Sequence, residues 1–173
     1  MPLDYKNELF IQVDAKDRVI GKITRGQAHR NHKIIHRAVQ VVLINGQNQT
    51  LLQKRSHKKD KSPNMWGTAA GGHVSWGHTY QQSAQKELHE EIGLTKIPLK
   101  FVTKIHVDNG DEQEILAIFI GQYNQTPTQL DPDEVVSVKW VNLDELPKFA
   151  QDHTLTDSCR NTYQVLGLLP AAT

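Results

Sequence analysis

Cysteine is nearly absent: Cys159 is the only one in 173 residues. An intramolecular disulfide is therefore excluded, and so is a zinc site built from cysteines. No segment approaches the roughly 18 consecutive apolar residues of a membrane span. The opening stretch MPLDYKNELFIQVDAKDRV carries scattered charges in place of an apolar leader. Neither sign of charge dominates, since 20 Lys and Arg face 19 Asp and Glu, and nothing provides bulk attraction to a nucleic-acid polymer or an anionic membrane. No internal repeat or low-complexity tract is visible. The expectation is a soluble, cytoplasmic protein whose partner is a small molecule and whose phosphate binding, if any, is local. The length suits a single domain over residues 1–173 with a sizeable core. Oligomeric state is left open, a homodimer included.

What is present is a series of short periodic segments. Residues 9–23 alternate apolar and polar on either side of DAKD, which predicts a hairpin. Residues 26–36 are polar and read as irregular. Strands follow at 38–44 and 50–55 around a turn containing Asn45-Gly46, the first apolar enough to be central. Residues 57–72, HKKDKSPNMWGTAAGG, read as a loop. Thr79 with Gln82 forms a capping-box pattern and Gly93 suits a left-handed stop, so a helix is predicted over 80–92. Strands at 99–107, 114–123 and 135–143, a short helix at 143–150 and a terminal helix at 156–169 complete the order. The sum is a mixed α/β or α+β domain with helices packed on a sheet.

Chemistry concentrates on the first long helix. Glu87, Glu90 and Glu91 stand at i, i+3 and i+4, on one stripe about 100° wide, while Ala84, Leu88 and Ile92 take the neighbouring stripe toward the sheet. Three carboxylates near a helix C-terminus repel one another and face the wrong end of the dipole. Lys86 alone does not offset them. A hard divalent cation would, since Mg²⁺ takes oxygen ligands and completes its shell with substrate phosphates; a solvated acidic face is the plain alternative.

Gly72, five residues, His78, seven residues, then Lys86-Glu87-Leu88-x-Glu90-Glu91-x-Gly93-Leu94 resembles the Nudix box, with every spacing kept over 72–94. The preceding strands, residues 54–56 and DPDEVVSVKWVNLDEL at 131–146 are similar to other parts of that domain. The resemblance implies a Nudix fold, a mixed β-sheet sandwiched between helices. It also implies hydrolysis of a nucleoside diphosphate derivative or related small diphosphate with Mg²⁺ or Mn²⁺, water attacking a phosphorus. In that scheme Glu90 and Glu91 are first-choice ligands, while Glu87 ligates or helps deprotonate water. Metals there would neutralise diphosphate oxygens and acidify a water. Two positions depart. Lys86 replaces an arginine that grips the first helical glutamate with two prongs, which loosens that orientation. His78 replaces a glutamate that supports the metal shell or loop, which implies weaker metal binding or an altered pH profile; an exposed loop histidine is the bland alternative. Together they leave room for a binding module that has lost catalysis.

A second resemblance overlaps the first. His29, His36, His73, Glu112 and Glu114, with WGTAAGGH, are similar to type I isopentenyl diphosphate isomerases, Nudix-fold proteins that hold a divalent metal through three histidines and two glutamates. Such a set suits Mn²⁺ or Zn²⁺ better than Mg²⁺, and marks either a second metal site or a wall of the substrate pocket. The isomerases also use a loop cysteine, whose position here is Gly71, and Cys159 lies too far along the chain to replace it. The expectation is a hydrolase from an isomerase-like branch, with isomerase as its rival. Beyond these sets, Lys54 and Arg55 are candidates for substrate phosphate, Trp66 and Trp140 for a base or the core, and Glu134 for a late-chain base or a turn residue.

Overall fold

The segment IHRAVQVVLI, Ile35–Ile44, is apolar on both faces and forms β3, the strand around which the sheet is organised. In the computed structural model, which describes residues 7–110 and 112–171, ten residues of β3 run parallel to β8 (Gln113–Gln122). The other edge of β3 is shared by three antiparallel partners in succession. These are β1 (Leu9–Val13), β6 (Ala70–His73) and β4 (Gln49–Arg55). β2 (Val19–Thr24) extends β1, β5 (Trp66–Gly67) and β9 (Val135–Asn142) pair with β4, and β7 (Leu99–Asp108) pairs with β8.

Alternation along β3 sends Val39, Val41 and Leu43 to one face and Val42 to the other. The first group packs with Ala84, Leu88 and Ile92 of α2 (Tyr80–Ile92), all fully buried. Val42 packs with Leu52 and Val141 against Leu146 and Phe149 of α3 (Leu146–Asp152) and Cys159 and Tyr163 of α4 (Asp157–Val165). The sheet is thus mixed and covered by helices on both sides, the Nudix-like α+β architecture expected. Helix α2 has the predicted bounds: Thr79 and Gln82 make both bonds of the capping box, and Gly93 caps the end at φ 71°.

Two expectations need correction. The stretch 26–36 is not wholly irregular, because Arg25–Ala28 forms a one-turn helix, α1, capped by Thr24 and Gln27. The predicted loop 57–72 contains β5 and the start of β6. Ala-Gly-Gly has no strand propensity of its own; β6 exists because four residues of β3, Ala38–Val41, pair with it.

Candidate active site and metal centres

The C-terminal half of α2 faces a cleft of about 670 Å³ floored by β3, β4 and β6. Glu91 is 4% exposed, and its Oε2 accepts two bonds, from Gln53 Nε2 at 2.7 Å and the Gly71 N–H at 3.1 Å. Its carboxylate is therefore fixed. Glu87 lies flat against Gly72, where a Cβ would stand 2.6–2.8 Å from its carboxyl atoms; only glycine permits that approach. Glu90 sits at the rim, its side chain 50% exposed, and Lys86 Nζ reaches it at 2.6 Å and Glu87 at 3.7 Å. Burial, reinforced by Glu91, pushes the Glu87 carboxyl up to about 8. Burial also raises Glu91, to about 7, against the pull of Arg55. Both carboxyls lack the positive charge that would restore ordinary acidity. Arg55, which also lines the cleft, spends Nη2 on the Lys61 carbonyl at 3.0 Å, yet among the described residues its buried Nε has no acceptor.

The second cluster lies in the same cleft, where β3, β6 and β8 meet. Register brings its members together: His36 is opposite Glu114 and Ala38 is opposite His73, while His29 caps the end of α1. His29 Nε2 is 2.9 Å from Glu112 Oε2, and Glu114 Oε1 is 3.4 Å from His73 Nε2 and 3.5 Å from His36 Nε2. One ligand atom from each of His29, His36, His73 and Glu112 falls within 4.8 Å of all the others. Phe10 backs the group, stacked 4.2 Å from the His73 ring and 5.4 Å from the His36 ring.

These residues fit a divalent cation. His29 Nε2, His36 Nε2 and Glu112 Oε2 are buried and converge, yet among the described residues none of them makes a well-aligned hydrogen bond. Ligands about 2.1 Å from one ion stand about 3 Å apart, close to these separations. Burial lowers the His73 imidazole to about 4 despite Glu114, so it is neutral and ready to ligate at pH 7. Burial opposes ionisation of Glu112 and Glu114 as well, but the close approach of the histidines holds both well below the usual carboxylate range. The result is two anions and a neutral imidazole beside two further histidines, a cation-seeking set.

Other sequence candidates fall in different places. His78 is exposed, and it and Lys54 do not line the cleft; alternation along β4 turns Gln53 and Arg55 inward instead. Trp66 meets Phe149 edge-on and Trp140 packs on the α2-side core, so both serve packing. Glu134 lines the cleft with Lys59 at 2.8 Å. Cys159 is completely buried and its thiol is pushed up by burial. Sequence reasoning misses Gln40 and Gln53: Gln40 interrupts the apolar run of β3, whereas Gln53 stands among other polar residues of β4 and carries no such signal.

Residues 34–159 match the family model described as NUDIX domain. The chain is 32% identical over 140 residues to an isopentenyl-diphosphate Delta-isomerase of Pectobacterium atrosepticum, covering 79% of this chain and 77% of that one. It is 33% identical over 141 residues to a prenyl-diphosphate phosphatase of Methanosarcina mazei, covering 80% and 81%. The crystal structure of DR0079 from Deinococcus radiodurans superposes with a TM-score of 0.77 at 21% identity, over 91% of this chain and 98% of that one. With its box on α2, its mixed sheet and these relatives, the chain belongs to the Nudix superfamily, in the branch that resembles isopentenyl-diphosphate isomerase.

Proposed function

We propose that the protein is a divalent-metal-dependent hydrolase of small diphosphates. One observation carries the reading: buried carboxyls that Lys86 and Arg55 do not bring back to ordinary acidity share one cleft with an Arg55 Nε that has no acceptor among the described residues. A metal-bound diphosphate satisfies both at once. Glu87, Glu90 and Glu91 would hold Mg²⁺ or Mn²⁺, which would neutralise charge at the diphosphate oxygens and acidify a nearby water. The chain's own part is to orient and to move a proton. Gln53 and the Gly71 amide fix Glu91, Lys86 braces Glu90, and Arg55 binds a phosphate oxygen. Water adds to one phosphorus, the bond from that phosphorus to the bridging oxygen breaks, and a carboxylate takes the proton. Glu87, held against Gly72 beside Glu91, is the carboxylate placed either to ligate or to take this proton; Glu134 is already engaged by Lys59.

Isomerisation of isopentenyl diphosphate is the second reading, favoured by the His29–His36–His73–Glu112–Glu114 cluster, which would hold Mn²⁺ or Zn²⁺. Residue 71 is a glycine with no proton to transfer, and Cys159 is sealed in the α4 core. Hydrolysis is therefore preferred. A panel of nucleoside diphosphates, triphosphates, nucleotide sugars and isopentenyl and prenyl diphosphates, assayed with Mg²⁺ and Mn²⁺, tests it. Phosphate or pyrophosphatase-type products that vanish in Glu91→Gln are expected. No metal-dependent turnover, or turnover indifferent to that substitution, would sink the assignment, and binding without release would indicate a module that has lost catalysis.

A further inference from the structure

The cleft floor contains a side chain that nothing in the chemistry above employs. Gln40 of β3 stands opposite Gly71 of β6 in register. A Cβ at residue 71 would lie 2.4 Å from Gln40 Nε2, 2.8 Å from Cδ and 3.0 Å from Oε1. The carboxamide thus lies across the glycine and fills the volume that a side chain there would need. Its orientation is set from one end: the Thr68 hydroxyl donates to Gln40 Oε1. Its other end is open, since among the described residues nothing accepts from Nε2, although Gln40 lines the cleft. A carboxamide pinned at its oxygen and unspent at its nitrogen offers two N–H donors to an occupant.

The surrounding wall sharpens what that occupant is. Among the described residues lining the cleft, only Ala38 and Val107 carry hydrocarbon side chains. A prenyl tail laid on this floor would gain little from burying its surface and would strip water from the Gln40 donors without replacing it. A hydroxyl, a carbonyl or a ring nitrogen would accept from them.

We propose that Gln40 is a specificity-determining residue that contacts the substrate. Its Nε2 donates to an acceptor on the group attached to the diphosphate, so the cleft selects a hydrophilic substituent over an isoprenoid one. This rests on the reading of the cleft as a diphosphate site. A site built to hydrogen-bond a polar group rejects an analogue that lacks it, whereas a purely apolar pocket discriminates weakly.

Calorimetric binding of two non-hydrolysable ligands with Mg²⁺ tests the idea: the methylene-bridged analogues of a nucleoside diphosphate and of geranyl diphosphate. The wild-type chain binds the nucleoside analogue more tightly. Gln40→Met keeps the length of the side chain without its donors, and Gln40→Leu serves as a second variant should the first disturb the fold. Each loses about tenfold or more in affinity for the nucleoside analogue and little or none for the geranyl analogue. A wild-type preference for geranyl, an equal loss for both ligands, no loss for either, or no wild-type binding of either overturns the proposal. Binding does not require turnover. If the discrimination appears while no diphosphate is cleaved, the hydrolase reading fails and the role of Gln40 stands.

Discussion

Gln53 Nε2 donates to Glu91 Oε2 at 2.7 Å, beneath the carboxylate that Gly71 also grips. Both bonds fall on one oxygen, which leaves Oε1 to a cation. Replacing Gln53 by Leu removes one donor to a buried anion, and a hydrogen bond to a charged group is worth roughly 1.5–3 kcal/mol. We expect Mn²⁺ affinity at the carboxylate site to fall about tenfold or more, measured by calorimetry, with kcat falling further than KM rises. Unchanged affinity would mean that Glu91 needs no help from β4.

The raised carboxyls give the metal-free protein a definite pH dependence. Glu87, pushed to about 8, and Glu91, to about 7, hold protons in the folded state that the unfolded chain releases near its ordinary 4.5. Their stabilisation is complete below about 4.5 and is lost as pH rises through the folded values. His73, lowered to about 4, acts oppositely, but only between 4 and 6.5. Above 6.5 the carboxyls act alone. The melting temperature of the metal-free chain therefore falls from pH 6.5 to pH 8.5. Mg²⁺ at a hundred times its dissociation constant recovers about 2.7 kcal/mol, and Glu87→Gln flattens the slope. A metal-free melting curve independent of pH in this window would contradict the assignment.

His36 is fully buried, with Nε2 3.5 Å from Glu114 and 3.9 Å from Glu112. His36→Ala removes a ligand from the histidine cluster without touching α2. Metal content measured after loading with Mn²⁺ or Zn²⁺ should fall by one ion per chain, while Glu91→Gln should remove the other ion and leave this one. A variant that loses both would show that the two clusters form a single centre. Truncating so buried a ring also costs about 2 kcal/mol or more in stability, so the comparison belongs at a temperature where both variants are folded.

The parts of this site that were legible in the sequence are those encoded locally. Thr79, Gln82 and Gly93 bound α2, and helical spacing alone puts Glu87, Glu90 and Glu91 on one stripe. The same logic was available for α1, whose Thr24 and Gln27 form an equally regular box, but one turn gives no apolar period to accompany it. β6 was illegible for another reason: Ala70-Gly71-Gly72-His73 is a strand only because β3 pairs with it. The histidine cluster depends on register between β3, β6 and β8, separated by tens of residues, so periodicity could not assemble it and only a family resemblance suggested it. Gln40 and Gln53 show the same limit, since a polar residue within a strand is visible whereas the partner across the sheet is not.

His78 is the box position that departs most in chemistry, and the structure places it apart from that chemistry. Its side chain is exposed, its backbone N–H closes a turn to the Ser75 carbonyl at 3.0 Å, and it does not line the cleft. A carboxylate introduced there projects into water, where a charge several residues from the metal ligands is heavily screened. His78→Glu should therefore leave the Mg²⁺ concentration for half-maximal turnover within about twofold of wild type, far less than one buried ligand is worth. Lys86→Arg provides the contrast. It acts at 2.6 Å from Glu90 and 3.7 Å from Glu87, and a planar two-pronged donor would hold the pair more firmly than a point charge on a flexible stem. A gain in kcat/KM from Lys86→Arg with none from His78→Glu would locate the weakness of this box on the helix. The opposite pattern would mean that the loop before α2 moves against the cleft when metal and substrate are bound.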